Sequence, residues 1–156
     1  MARWSDFEAE APELAGAARE FLEARTHKTI ATLRRDGSPR ISGTEATFHE
    51  GDLWWGSMAN AVKALDLRRD PRFALHSGSA DPPDWKGDAK VAGRAEELAG
   101  ERRAAALESL GWELSADSHL FRADIEEVSV VRLNEERTKL LIDSWTPGRG
   151  VRRIER

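Results

Sequence analysis

Cysteine is missing from all 156 residues of the chain, and with it go disulfides, thiolate metal centres and cysteine nucleophiles. Tyrosine is missing too, yet there are 6 Trp and 5 Phe, so tryptophan supplies an unusual share of the large flat surface. No stretch approaches the roughly 20 consecutive apolar residues that a membrane-spanning helix needs. The opening ten residues contain Asp6, Glu8 and Glu10 and no apolar run, unlike a secretory leader. A cytoplasmic protein with no membrane partner is the expectation. Positive charge is not in excess either. The 24 Lys and Arg stand against 28 Asp and Glu, a net charge of -4, which argues against a dedicated nucleic-acid binder. His27, His49, His76 and His119 lie far apart with no short ligand spacing, so no metal site is read. There is no glycine-rich phosphate loop of the Walker or dinucleotide type, and no nucleophile elbow.

What is present is a globular composition, 40% hydrophobic and 33% charged, at a length that suits one domain over residues 1–156. Ser5 followed by Glu8 fits a capping box at a helix start. Pro12 breaks that start and opens a better helix to about Arg25, with Leu14, Ala17, Ala18, Phe21 and Leu22 on one apolar face. The period then changes. Thr29–Leu33 is β-prone, Asp36-Gly37 marks a hairpin, and Arg40–Phe48 returns as a strand. A second turn at His49–Asp52 leads to a third strand, Leu53–Ser57, completing an antiparallel meander. Asn60 reads as the N-cap of a short helix, Ala61–Arg69, with Val62 and Leu65 inward. Strands follow at Arg72–Ser77 and Ala89–Leu98, a helix at Gly100–Leu110 stopped by Gly111, and strands at Leu120–Leu133 and Thr138–Trp145. Residues 146–156 form an Arg-rich tail. Helices fall between hairpins, so a mainly β antiparallel barrel with peripheral helices is the expected architecture.

The stretch from Trp55 to Arg69 carries the most chemistry. A strand ends at Gly56-Ser57, a small loop follows, and Lys63 falls in the first turn of the next helix. Free amides and the helix dipole attract anions there, and a lysine with a nearby hydroxyl sharpens that into a phosphate site. The same spacing also describes a solvated lysine beside a serine that ends a strand. Local chemistry leaves both readings open.

Several pieces in order resemble one family. They are Ile30-Ala31-Thr32-Leu33, Asp36-Gly37-Ser38-Pro39-Arg40, Leu53-Trp54-Trp55, and the run from Lys63 through Asp70-Pro71-Arg72-Phe73 to Leu75. Together they look like the pyridoxamine 5′-phosphate oxidase-like split-barrel flavoproteins, over roughly Thr26 to Glu97. The resemblance implies a homodimeric six-stranded antiparallel split barrel with cofactor sites between the subunits. It implies FMN as cofactor and redox chemistry on a small molecule, with coenzyme F420 or haem in other branches, and a non-enzymatic flavin or haem binding protein as the alternative of a different class. Carried over residue by residue, it places the cofactor ring beside Arg40, Ile41, Ser42, Gly43 and Thr44. It places the phosphate at Gly56, Ser57 and Lys63. Asp88, ahead of Gly93-Arg94, and Trp145 with Arg149 or Arg152 match further contact positions, the last group from the partner chain. One of Trp54 and Trp55 would then face the cofactor groove or the subunit interface. Val62 and Glu45 stand where the oxidases proper carry basic residues, so oxidation of pyridoxamine phosphate itself is not implied. Arg40 or a tail arginine is the candidate to replace that missing charge.

Overall fold

The computed structural model describes residues 1–156. Two short helices, α1 (Trp4–Glu10) and α2 (Pro12–Glu23), precede the meander of β1 (His27–Leu33), β2 (Pro39–His49) and β3 (Asp52–Ser57). Helix α3 (Val62–Arg69), β4 (Arg72–His76), β5 (Asp88–Glu97) and α4 (Gly100–Leu110) follow. The chain ends with β6 (His119–Leu133), β7 (Leu140–Thr146) and β8 (Gly150–Glu155). The sheet order is β3-β2-β1-β4-β5-β6-β7-β8, and a further pairing of β3 with β6 closes the first six strands into an antiparallel barrel.

The turn chemistry explains the meander. Gly37 takes φ 85° and Gly51 φ 75°, backbone that glycine adopts without a steric penalty. Pro12 opens α2, where its missing donor costs nothing. Helix α4 ends in a Schellman motif: Gly111 is left-handed, its N–H donates to Glu108 O, and the Trp112 N–H donates to Leu107 O. The main core fills the barrel with Trp55, Phe121, Phe73, Ile125 and Val91, and α1 and α2 extend it with Trp4, Phe7, Leu14, Ala18 and Leu22. A smaller core of Trp54, Leu98 and Leu120 lies on the other side of β3, under Leu107, Leu110, Trp112 and Leu114.

Some local expectations are corrected. At the start of the first helix the Asp6 carboxylate accepts from the Arg3 N–H at 2.7 Å, and Ser5 and Glu8 form no capping box. Asn60 does not cap α3. It sits at φ 59° in the preceding turn, a conformation asparagine tolerates, and Ala61 holds the cap position. Helix α3 buries Ala64, Asp66 and Leu67, whereas Val62 and Leu65 face out. The C-terminal segment is not a tail. Residues 150–155 form β8, paired along β7 from Thr146↔Gly150 to Leu141↔Glu155.

The inward turn of α3 follows from Asp66. Its buried carboxylate accepts from Arg40 Nε at 2.6 Å, Thr32 Oγ1 at 3.0 Å and Arg69 Nη2 at 3.0 Å. Burial alone would raise its pKa, but these bonds outweigh it and hold the carboxyl below its usual 3.8. Asp66→Ala should therefore cost about 3 kcal/mol near neutral pH, the low end for a broken buried pair, because both arginines keep some water. A depressed carboxyl stabilises above the unfolded value and loses that stability as pH falls through the folded one. The gap between wild type and variant in chemical denaturation should close as pH falls below about 4.

Candidate functional site

The ladder between β2 and β3 runs from His49↔Asp52 to Ala46↔Trp55 and stops there. Beyond that point β2 stays with β1 through Thr44↔Lys28 and Gly43↔Thr29, while β3 stays with β6 through Gly56↔Leu120 and Ser57↔His119. The two strands therefore part, and a groove of about 410 Å³ opens between them. Thr44, Glu45 and Thr47 line it from β2, Gly56 and Ser57 from β3, and Met58 from the loop after β3. Lys63 reaches in from α3, and Trp112, Leu114 and Ser118 close the far wall. Leu114 lies 3.4 Å from where a Cβ on Gly56 would stand, van der Waals distance, so the far wall closes directly on β3.

Lys63 bridges the split. Its Nζ donates to Gly43 O at 2.5 Å, and no carboxylate pairs with it. Burial without a counter-ion pulls its pKa below the ordinary lysine value. Thr44 and Ser57 border the same groove. Thr44 Oγ1 and Ser57 Oγ are buried and have no hydrogen-bond partner. Buried polar groups are nearly always satisfied, so an orphaned pair beside an unpaired ammonium marks a place where something else belongs. An anion with several acceptor oxygens meets all three needs: two hydroxyl donors and one cation. The first amides of α3, which lack a side-chain cap, add donors at the same end. Glu45 is the one carboxylate of the lining, and it lies 3.3 Å from His27.

The other expected site residues fall elsewhere. Arg40 is held by Asp66, so it does not replace the missing charge at the groove. Ile41 points outward and is 75% exposed. Ser42 follows it on β2, facing the same side as Thr44. Asp88 sits near His76 at the start of β5, hydrogen-bonded by Ser79, and not in the groove of its own chain. Arg149 and Arg152 are exposed on the β7–β8 hairpin. Trp145 is fully buried in its own chain against Phe7, and its Nε1 donates to Glu10 at 2.9 Å, so no face of the ring remains for a partner's cofactor. Trp54 and Trp55 do face opposite sides, but both are buried, Trp54 under the wall built by α4.

The groove wall of Trp112, Leu114 and Ser118 was not read from the sequence. The signal was there: an apolar residue just after a C-capping glycine usually folds back onto its helix.

Comparison with known proteins now decides the lineage. The family model described as pyridoxamine 5′-phosphate oxidase matches residues 14–136. The chain belongs to that family. The match begins inside α2 and ends in the β6–β7 turn, so it contains the whole barrel and the whole groove. Solved structures of the same fold include a haem-binding protein from Mycobacterium smegmatis, 23% identical with a TM-score of 0.63, covering 83% of this chain and 56% of that one. A protein of unknown function from Agrobacterium tumefaciens is 18% identical at a TM-score of 0.63, covering 79% of this chain and 57% of its own. This chain therefore spans little more than half the length of either. A pyridoxamine 5′-phosphate oxidase-related, FMN-binding protein from Nostoc punctiforme is 12% identical at a TM-score of 0.63, with 100% and 97% of the two chains covered. No curated protein sequence is significantly similar to this one. Within the oxidase family, then, the barrel is shared, and the groove must be argued from its own residues.

Proposed function

We propose that this chain is an FMN-binding oxidoreductase acting on a small molecule, with the FMN phosphate held at the split between β2 and β3. The observation that carries this reading is the orphaned pair Thr44 Oγ1 and Ser57 Oγ beside the unpaired ammonium of Lys63. Ser57 and Thr44 would donate to phosphate oxygens, and Lys63 would balance their charge. Strand β2 from Arg40 to Thr44 would flank the ring, and Trp112 with Leu114 would shield it from water. FMN supplies the electron and hydride chemistry when bound; the protein orients it and keeps solvent out.

Two other cofactors fit less well. The acidic tail of coenzyme F420 calls for free basic residues near the groove. Arg68, Arg69 and Arg72 each hold a carboxylate of their own chain, at Glu97, Asp66 and Asp70. Haem calls for an iron ligand, and no histidine opens onto the groove: His119, behind Ser57, is enclosed and stacked on Phe121.

A second copy of the chain would complete the site. Ile41, Met58, Val62 and Leu65 are large apolar side chains left exposed on β2, on the loop after β3 and on α3, around the Lys63–Gly43 contact. Such a patch beside a groove suits burial against a partner. Asp88, Arg149 and Arg152, outside the groove of their own chain, would face the partner's groove in that arrangement.

Fluorescence titration with FMN tests the reading, with light scattering on the same sample for the oligomeric state. Lys63→Ala should weaken FMN binding by at least about tenfold, the worth of one charge-assisted hydrogen bond. Unchanged affinity would remove Lys63 from the site.

A further inference from the structure

Continued by two residues, the β2–β3 register would set Thr44 opposite Ser57, and Ser57 is paired with His119 on β6. Thr44, Ser57 and His119 thus form one row on the inner face of the barrel, at the floor of the split. His119 is 3% exposed, and its Nε2 has no hydrogen-bond partner. The row therefore contains three orphaned polar atoms: Thr44 Oγ1, Ser57 Oγ and His119 Nε2. The flanking residues Gly56 and Ser118 both line the groove.

The other side of the His119 ring is fixed. Nδ1 lies 2.8 Å from Glu97 Oε1, and Arg68 grips the same carboxylate with bonds of 2.6 and 2.8 Å. Burial works to raise the Glu97 pKa, but the bonds from Arg68 and His119 outweigh it and keep the carboxyl below its usual range. Glu97 is therefore an acceptor, and Nδ1 must carry the proton. A neutral His119 then keeps a bare, buried lone pair at Nε2, on the residue paired with Ser57. An anion brings only acceptors, so Nε2 can face one only after gaining a proton of its own.

We propose that His119 is a fourth side chain of this anion site, beside Thr44, Ser57 and Lys63, and that an anion entering the groove is bound together with a proton taken up at His119 Nε2. This rests on the reading of the groove as a phosphate site and adds to it a residue and a proton. The imidazolium would lie between the Glu97 carboxylate and the bound anion, so neither side leaves a buried charge unpaired. The charged groups that face it or its immediate partners are Glu97 from β5, Arg68 from α3, Asp117 from the loop before β6 and Arg103 from α4. Histidine is the member of that set whose ordinary titration falls near neutral pH.

Sulfate is the probe, because it stays a dianion across the range where histidine titrates, whereas a phosphate ester takes up protons itself. Calorimetry in two buffers of different ionisation enthalpy counts protons, and the imidazole resonances of wild-type His119 report its state without any variant. The expected result at about pH 8 is uptake of about one proton per sulfate, with affinity rising up to about tenfold per pH unit on acidification toward pH 6. His119→Gln should bind sulfate more weakly and with a flat pH profile. Sulfate bound with no proton uptake and unmoved His119 resonances would overturn the proposal, and so would no sulfate binding at either pH. FMN titrated in parallel separates the two readings. Tight FMN binding without a proton on His119 defeats only this inference. Proton-linked sulfate binding without FMN binding defeats only the cofactor assignment.

Discussion

Gly93→Ala should leave the protein unable to fold. Between Ala92↔Glu127 and Gly93↔Ile125 the β5–β6 register jumps, leaving Glu126 as the extra residue of a bulge. A Cβ at residue 93 would stand 2.0 Å from the Asp124 carbonyl oxygen, 3.0 Å from its carbon and 3.1 Å from the Glu126 nitrogen. All three are backbone atoms, so no side chain can swing aside. Asp124 is anchored further by the Ala2 N–H, which donates to its carboxylate at 2.8 Å. Relief would mean separating β5 from β6, the longest strand pairing of the barrel. The bulge also lets β6 serve two neighbours besides β5: β3 through residues 119–122 and β7 through residues 128–133. Circular dichroism and soluble yield check the prediction. A variant that melts like wild type would show that the strands can part at no cost.

Trp145→Ala should be the most damaging truncation of a core side chain, at about 3–5 kcal/mol, the range for emptying a buried tryptophan site. The ring is fully buried, packs on Phe7 with centroids 4.7 Å apart, and ties β7 to Glu10 at the end of α1. A domain of this size is typically stable by only about 5–15 kcal/mol, so the loss should be plain in a urea titration. Trp145→Phe keeps much of the packing but drops the donor to Glu10, and should fall between the two. If Trp145→Ala instead left stability intact and abolished FMN binding, the ring would serve the cofactor and not the core.

That second prediction marks where sequence reasoning reached its limit. Glycine and proline positions were legible because each imposes a backbone conformation by itself: Gly37, Gly111 and Pro12 all sit where local chemistry puts them. The order of strands in the barrel was legible through the family resemblance. Which large residue meets which was not, because that is set by tertiary packing. Trp145 lies next to a Pro-Gly turn, which leaves open whether it covers a partner's cofactor, as the resemblance implies, or packs back on its own barrel. The start of the chain, 135 residues earlier, supplies its cover. Strand β8 was hidden for a different reason. It pairs only with β7, its other edge is free, and Arg152 and Arg153 face water, so it shows no apolar alternation. Helix α3 misled because its inward face is held by a carboxylate, Asp66, whose arginine and threonine partners come from three different elements.

At the site, Ser57 and Lys63 were legible from their spacing on either side of a strand-to-helix turn. Thr44 was placed by the family's second strand. Trp112 and His119 were not singled out for the site, because each reaches the groove region through the path of α4 and β6.

In the proposed function the phosphate is the group that this groove holds. The ratio of riboflavin to FMN dissociation constants tests that most directly, since the two ligands differ only in the phosphate. Wild type should bind FMN far more tightly than riboflavin, by at least about a hundredfold if Lys63 and one hydroxyl each add a charge-assisted bond. Ser57→Ala should shrink that ratio while leaving riboflavin affinity unchanged. Equal affinities for the two ligands, or a ratio that Ser57→Ala does not move, would contradict it.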